Sequence, residues 1–434
     1  MYCPETTEDV RRIVLNARQT GVPLVPVSSG APHFHGASEN GGAEQICFSE
    51  MSRIMKIDRK SRYVRVEPGV TFGELIPKLA ENGMRLNLPF LVRANKSVVA
   101  SALEKEAVLI PKYQYDYTDP LLTVEAVYGT GDVFRTGSAA GPGTPEENNA
   151  DMVLPWGPGT IDFLRFFCGA QGTMGLVTWG TLKTEVLPKA STLFFIEAET
   201  AAPLTQLANE LLRKRIPDEC VILSRKNFAA AFSDSDAEED MLSRVAPWVM
   251  LCRVCGFDRY PEERLAIYSG YLQDAVTQAG LTAKTSLGLC SGLEEKLEQR
   301  LTDCDRRETS WKLRRGAFRD LLLTAPPSRT PAILELLQRF FPNAGFTVLP
   351  QVLGRAFRIE CDLLPAAEPA VSEQEDRQIL SAARELLDAG AVFERPYGQL
   401  RELVYGDALA TDAMRRLKQL FDPDNVLNPG KLCF

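Results

Sequence analysis

The feature that most restricts the fold of this chain is a run of small residues directly after a short apolar strand: PVSSGAPHFHGAS, residues 26–38. Successive backbone N–H groups of such a loop can converge on one anion, so a pyrophosphate can be held there without side-chain charge. By itself the loop is a weak signal, since most glycine-containing loops bind nothing. The segments around it supply a scaffold. In PETTEDVRRIVLNARQTGVPLVPV, Thr6 or Thr7 caps a helix, Val10, Ile13, Val14 and Ala17 form its apolar stripe, and Gly21 ends it before a buried strand. The order recurs in SRYVRVEPGVTFGELIPKLAENGMRL. There a strand over 63–66 meets a turn at Pro68 and Gly69, and Thr71 with Glu74 forms the capping box of a second helix.

Length and charge narrow the function classes. A chain of 434 residues, 45% apolar and 24% charged, reads as a soluble globular protein of two or more cooperating domains. Its 49 basic and 57 acidic residues give a net charge of −8 without any block of like charge, which argues against a nucleic-acid surface or a polybasic membrane patch. No window resembles a membrane span or a signal peptide, and a cytoplasmic location is expected. The ten cysteines show no metal-ligand rhythm. Cys252 and Cys255, in LCRVCGF, sit inside an apolar strand and read as buried thiols, and no metal site is expected. The only histidines are His33 and His35, which limits the available chemistry.

Further strands are predicted over 122–128 and 175–187. From about residue 191 the pattern becomes strand LFFIEAE, helix 203–213, strand CVILS, strand WVMLCRVCGF and helix 261–279. That is an α+β unit with a sheet covered by helices on one face, readable as a separate cap domain. The strands RDLLLTAP and FRIECDLLP follow with helices 331–341 and 373–388, and a last helix spans 407–421. The acidic stretch 233–240 reads as mobile.

Four segments then occur in a telling order: PVSSGAPHFHG; VRVEPGVTFGELIPKL; the pair VEAVYGTGDVFRTG and FFCGAQGTMGLVTWGTLKTEVLP; and FDPDNVLNPGKL. Together they resemble the FAD-binding module of the vanillyl-alcohol oxidase and p-cresol methylhydroxylase superfamily. The resemblance covers residue 1 to about 188 and about 390 to 431, with the intervening part similar in order of elements only. It implies an α+β fold with a two-part FAD-binding domain, residues 1–190 and 390–434, and an α+β cap over 191–389. The first loop of that family wraps the FAD pyrophosphate, the PGV turn and the GxxGxxGxxT segment contact the adenosine and ribityl parts, and the C-terminal PGK closes on the flavin. Carried over, this nominates Ser28, Ser29, Gly30, Ala31, Pro32, His33, Pro68, Gly69, Val70, Gly169, Gly172, Thr173, Gly175, Val177, Asn428 and Lys431. Gly172 and Gly175 are expected to be glycines because the backbone there lies against the cofactor.

The stretch SVVASALEKEAVLIPKYQYDY resembles the SVVGN-LDRG and GDH segments of the phenol-oxidising branch, which adds Asp116 to the cofactor set and places Glu104 on the carboxylate beside flavin N5, with Glu106 as its rival. A carboxyl in an apolar flavin pocket would have its pKa raised, as suits a base. GAVFERPYG matches the branch's Tyr-Arg pair, with Arg395 on the arginine and Glu394 on the tyrosine. A glutamate there would repel a phenolate. Either the substrate is neutral or cationic at that point, or Glu394 pairs with Arg395 and Tyr397 takes the tyrosine's place. The histidine that attaches FAD covalently in vanillyl-alcohol oxidase has no counterpart, so the resemblance implies non-covalent FAD, with His33 as the exception to watch.

The implied activity is hydride transfer from a phenolic or alcohol-like small molecule to flavin N5. Two alternatives stay open: a 2-hydroxyacid dehydrogenase, against which the missing C-terminal histidine cluster counts, and a flavin-binding or apo structural subunit of a redox complex. The chain begins almost at the first flavin-fold helix, which leaves a surface for a partner redox subunit or a second copy.

Overall fold

The computed structural model describes all residues except 34–41, 114–118, 148–160, 316–318, 352–354 and 364–368, and describes only the backbone of 113, 315 and 369–373. The first helix, α1 (Thr7–Thr20), starts where the Asp9 N–H donates to the Thr6 hydroxyl at 3.2 Å and the Thr6 N–H donates to the Asp9 carboxylate at 3.0 Å. It stops at Gly21, whose φ of +69° closes the helix in the left-handed region. β1 (Leu24–Val27) then runs parallel to β2 (Glu44–Cys47). Next come β3 (Ile54–Asp58), β4 (Tyr63–Val66), α2 (Phe72–Glu81), β5 (Met84–Leu86), α3 (Val98–Leu103), β6 (Leu121–Val127), β7 (Val133–Arg135) and β8 (Leu176–Val186). Their strands form one sheet in the order β3-β4-β8-β6-β7, with β5 also paired to β8. Phe72, Leu75 and Leu79 of α2 bury their side chains with Val64, Val66 and Leu182 of this sheet.

A second, wholly antiparallel sheet follows in the order β12-β9-β11-β10-β14-β15-β13. Its strands are β9 (Ala190–Ala198), β10 (Glu219–Ser224), β11 (Trp248–Gly256), β12 (Ala283–Lys284), β13 (Arg319–Ala325), β14 (Gly345–Gln351) and β15 (Ala356–Leu363). The helices expected around these strands are present, starting with α4 (Ala201–Arg213) and the helix Pro261–Gln278. β14 and α5 (Arg225–Phe232) were not legible in the sequence. Pro350 disguises β14, and it is tolerated because pairing of β14 to β10 involves only Thr347 and Val348.

Strand alternation decides how this second sheet is used. Phe194, Ile196, Ile222, Met250 and Val254 enter the core beneath α4 and its neighbouring helices. Leu193, Phe195, Val221, Leu223 and Leu251 point the other way, into a second core with Phe228 and Phe232 of α5 and with Leu91 and Leu109 from the first half of the chain. The expectation of helices on one face only is therefore corrected: these inner strands are buried on both faces.

The acidic stretch 233–240 is likewise not a mobile segment but the start of an ordered helix, Asp236–Leu242, capped by Ser235. Its acids meet the helix Leu293–Thr302, where Lys296 lies 2.9 Å from Asp234 and also pairs with Glu238, and Arg300 pairs with Asp234.

Two polar clamps hold distant parts together. The Leu24 N–H donates to Val426 O at 2.7 Å and the Asn428 N–H to Leu24 O at 2.8 Å, so a C-terminal strip lies along β1. The Lys418 ammonium, on the helix Ala408–Phe421, donates to Thr173 O at 2.6 Å, to Leu427 O at 3.0 Å and to the Asp422 carboxylate. The second clamp is Glu219 of β10, buried between Arg85 of β5 and Arg253 of β11 and thus bridging the two sheets. Removing one partner of a buried ion pair strands the other charges. Glu219→Ala is expected to destabilise the protein by roughly 3–5 kcal/mol in equilibrium urea unfolding.

Candidate active site

A cavity of about 320 Å³ lies between the two sheets. One wall comes from the loop after β1 and the approach to β8: Ser28, Ser29, Pro32, His33, Pro68, Gly172, Gly175 and Val177. The opposite wall is the outer face of β13 and β15, with Asp320, Leu322, Thr324, Arg358 and Glu360. Lys96, Glu104 and Glu106, from the two ends of α3, enter from the side, and Glu394, Arg395 and Tyr397 close the far end.

Local hydrogen bonds set the first wall. The Ser97 N–H donates to Ser29 Oγ at 2.9 Å, the Ser97 hydroxyl donates to Pro68 O, and the Gly30 N–H donates to Asn95 O at 2.9 Å. The small-residue loop, the Pro68 turn and the start of α3 are thereby stitched together. Gly30, Ala31, Gly69, Val70, Gly169, Thr173, Asn428 and Lys431 do not line the cavity, though several of them hold residues that do. Asn428, for instance, donates through Nδ2 to Gln171 O at 2.6 Å. Asp116 and His35 lie outside the described residues.

The reason for the glycines differs from expectation. A Cβ on Gly172 would stand 2.4 Å from Pro26 Cγ, and the residue has φ +73°. A Cβ on Gly175 would stand 2.7 Å from a ring carbon of Phe167. The protein itself fills the space, and the thinness of the wall follows from that packing.

The carboxylates sort by partner. Glu104 sits at the C-cap of α3, its side chain 41% exposed and its carboxylate 2.6 Å from Lys96 Nζ, which is not the apolar setting expected of it. Glu106 is the deeper of the two. Burial pushes its carboxyl up, but Lys96 and Arg395 outweigh burial and leave it below the usual range. Glu394 does not pair with Arg395: its carboxylate lies 2.6 Å from Arg358 and 3.7 Å from Lys105. Arg395 makes no ion pair with any carboxylate among the described residues. Burial opposes its charge, yet Tyr397, Glu106 and Glu104 around it hold it firmly protonated. Burial likewise pushes the Tyr397 phenol above its ordinary value in spite of Arg395, so it is a neutral donor.

Sequence reasoning missed the cap side of the cavity. Lys312 pairs with Glu360 and lies 3.2 Å from Asp362, and Asp320 faces Asp362 across the β13–β15 ladder. Burial, with Asp362 and Asp320 nearby, pushes the Glu360 carboxyl up to about 7 against the pull of Lys312. A signal was present: in FRIECDL every second residue is charged, while Phe357, Ile359 and Cys361 between them are buried.

The donor set of this cavity fits a dinucleotide. Its Ser28–Pro32 end carries hydroxyls, backbone and one guanidinium, that of Arg93, which donates to Gly30 O at 3.4 Å, while the carboxylates gather at the other end. Burial and Arg93 push the His33 imidazole below its ordinary value. A pyrophosphate suits the first end and redox chemistry the second. Among the described residues no group of His, Cys, Asp or Glu is arranged to hold a metal, and no helix is long and apolar enough to cross a membrane.

Site and fold together define an FAD-dependent oxidoreductase. The FAD binding domain family matches residues 1–137, and the C-terminal domain of FAD linked oxidases matches 404–432. It is 28% identical over 225 residues to the 4-cresol dehydrogenase [hydroxylating] flavoprotein subunit of Pseudomonas putida, a match spanning 50% of this chain and 42% of that one. It is 24% identical over 447 residues to glycolate oxidase subunit GlcD of Bacillus subtilis, spanning 100% and 88%. Among solved structures, p-cresol methylhydroxylase with substrate bound superposes with a TM-score of 0.81 at 18% identity, covering 100% of this chain and 88% of the other.

FAD would supply the two-electron acceptor, and Ser28, Ser29, Pro32, His33, Pro68, Gly172, Gly175 and Val177, which line the cavity, are the residues that would hold it. Gly172→Ala is expected to displace Pro26 and lower the flavin content of the purified protein, read from the ratio of visible to ultraviolet absorbance. Acid precipitation is expected to release the flavin into the supernatant. Flavin that stays with the pellet would make His33 the first residue to examine for a covalent bond.

Proposed function

We propose that the protein oxidises a small phenolic or alcohol-like substrate bearing one negatively charged oxygen, with the hydride passing to FAD. Arg395 carries this reading, as a half-buried cation lining the cavity with no carboxylate partner among the described residues. A site of that kind stabilises an oxyanion far more effectively than it would in water. Tyr397 donates a second hydrogen bond to the same oxygen. Glu394, expected to repel a phenolate, is drawn off by Arg358 and Lys105, so Tyr397 takes the position the resemblance gives to a tyrosine. The cresol dehydrogenase relative is named as a flavoprotein subunit, which supports a partner redox protein as electron acceptor here.

A second reading rests on the full-length similarity to a glycolate oxidase subunit. A guanidinium grips a carboxylate through two parallel hydrogen bonds as readily as it holds a phenolate. A 2-hydroxy acid therefore meets the same requirement of one anionic pole.

The test is anaerobic stopped-flow reduction of the bound flavin by 4-hydroxybenzyl alcohol, 4-ethylphenol, glycolate and D-lactate. Phenols that reduce it support the first reading and hydroxy acids the second. With the active compound, Arg395→Met is expected to slow reduction by about a hundredfold or more at unchanged FAD content. An arginine that merely pairs at the surface would leave the rate within about twofold.

A further inference from the structure

The cavity holds two carboxylates that the oxyanion site leaves unused, Asp320 and Glu360, and of these Glu360 is the one within ion-pair distance of a cavity lysine, Lys312. Asp320, Glu360 and Asp362 meet on the outer face of β13 and β15, and among the described residues Lys312 is the cation within ion-pair distance of Glu360 and Asp362. Asp362 is tied in place: Asn227 Nδ2 donates to it at 2.7 Å, and it does not line the cavity. Glu360 does line it, as do Lys312 and Asp320. The remaining cavity carboxylates are committed elsewhere, Glu104 and Glu106 to Lys96 and Glu394 to Arg358. Asp320 is close enough to act on the charges of Arg395 and Tyr397, which places the three-carboxylate cluster beside the oxyanion site.

Resting on the reading of Arg395 above, we propose that Glu360 is the catalytic base that takes the proton of the substrate hydroxyl, with Lys312 as the residue that positions it. The substrate is then a carbinol with two recognised groups, an anionic oxygen on Arg395 and a hydroxyl on Glu360. The O–H bond breaks and its proton moves to a Glu360 carboxylate oxygen. The electron pair left on oxygen forms the C=O bond. The carbon-bound hydrogen leaves with its own electron pair as hydride and reduces FAD. The products are a carbonyl compound, reduced flavin and protonated Glu360, which returns its proton to solvent. Three carboxylates around one ammonium make the transfer favourable, because the incoming proton removes a surplus negative charge from a dry site. Burial and these neighbours push the Glu360 carboxyl up to about 7, where a base is both ionised and strong enough to work.

Two measurements on the holoenzyme test this. The first needs no substrate: an infrared pH titration is expected to show a protonated-carboxyl stretch growing in below about pH 7 and absent from Glu360→Gln. The second is flavin reduction by 4-hydroxybenzyl alcohol and by D-lactate, which separates a phenolate from a carboxylate as the anionic pole. With whichever reacts, the wild-type rate should rise with pH through the same midpoint. Glu360→Gln should lower it by roughly 10²–10⁴-fold and flatten the profile. Glu360→Asp should keep the pH dependence at a reduced rate, guarding against a mere folding defect. Lys312→Met removes the cation that lowers the carboxyl, so its midpoint should move to higher pH, a shift that loss of a structural ion pair would not produce. A Glu360→Gln enzyme that keeps the wild-type rate or profile, or the infrared band, overturns the proposal while leaving the Arg395 reading intact. A normal Arg395→Met with an inactive Glu360→Gln removes the oxyanion reading instead, and if neither compound reduces the flavin both fall together.

Discussion

A β-strand cannot bury one face without presenting the other, and in β13 and β15 that constraint sets the chemistry of the whole molecule. Leu321, Leu323, Phe357 and Ile359 enter the core beneath the helices, so Asp320, Arg358, Glu360 and Asp362 must occupy the opposite face. That face forms the wall of a cavity whose charged side chains are mostly half-buried. Charge in such a place is tolerated only when it is compensated. The pairs Lys96 with Glu104, Arg358 with Glu394 and Lys312 with Glu360 are this compensation. Arg395 is the departure from the pattern among the described residues, and in the function proposed above a substrate oxygen is its partner.

The segments bearing glycine and proline were readable because turns demand particular residue types. The first helix, with its capping box and Gly21, and the strand and helix on either side of Gly69 were legible for the same reason. The cap was harder. Its strands read correctly where apolar runs were long, as in WVMLCRVCGF, and failed where Pro350 interrupted one. The catalytic side was half legible. Arg395 and Tyr397 come from a short contiguous motif, whereas Lys312, Asp320 and Glu360 meet only after three distant stretches fold together. Glu104 and Glu106 are two residues apart, and no local pattern tells which becomes buried. That depends on how α3 ends and on where Lys96 reaches.

The comparisons divide along the same line. The fold is shared with p-cresol methylhydroxylase at 18% identity, so the architecture tolerates replacement of most of its residues. Fold similarity of this kind says little about substrate. The features of this chain that bear on substrate are local: a glutamate at position 394 held by Arg358, a tyrosine at 397 beside Arg395, and a cluster of carboxylates on the cap wall.

The clamp at Lys418 has a consequence for how the protein is made. Lys418 and Asn428 hydrogen-bond to Thr173 and Gln171, partners 245 and 257 residues earlier in the chain. A ribosome adding about 5–20 residues per second needs roughly 10–50 s to reach them. Throughout that interval the nascent chain carries Gln171–Thr173 and the edge of β1 without their final partners. The bracing of this wall is therefore completed only once residues 418–428 have been made, and the half-built wall is the surface that a chaperone would have to shield.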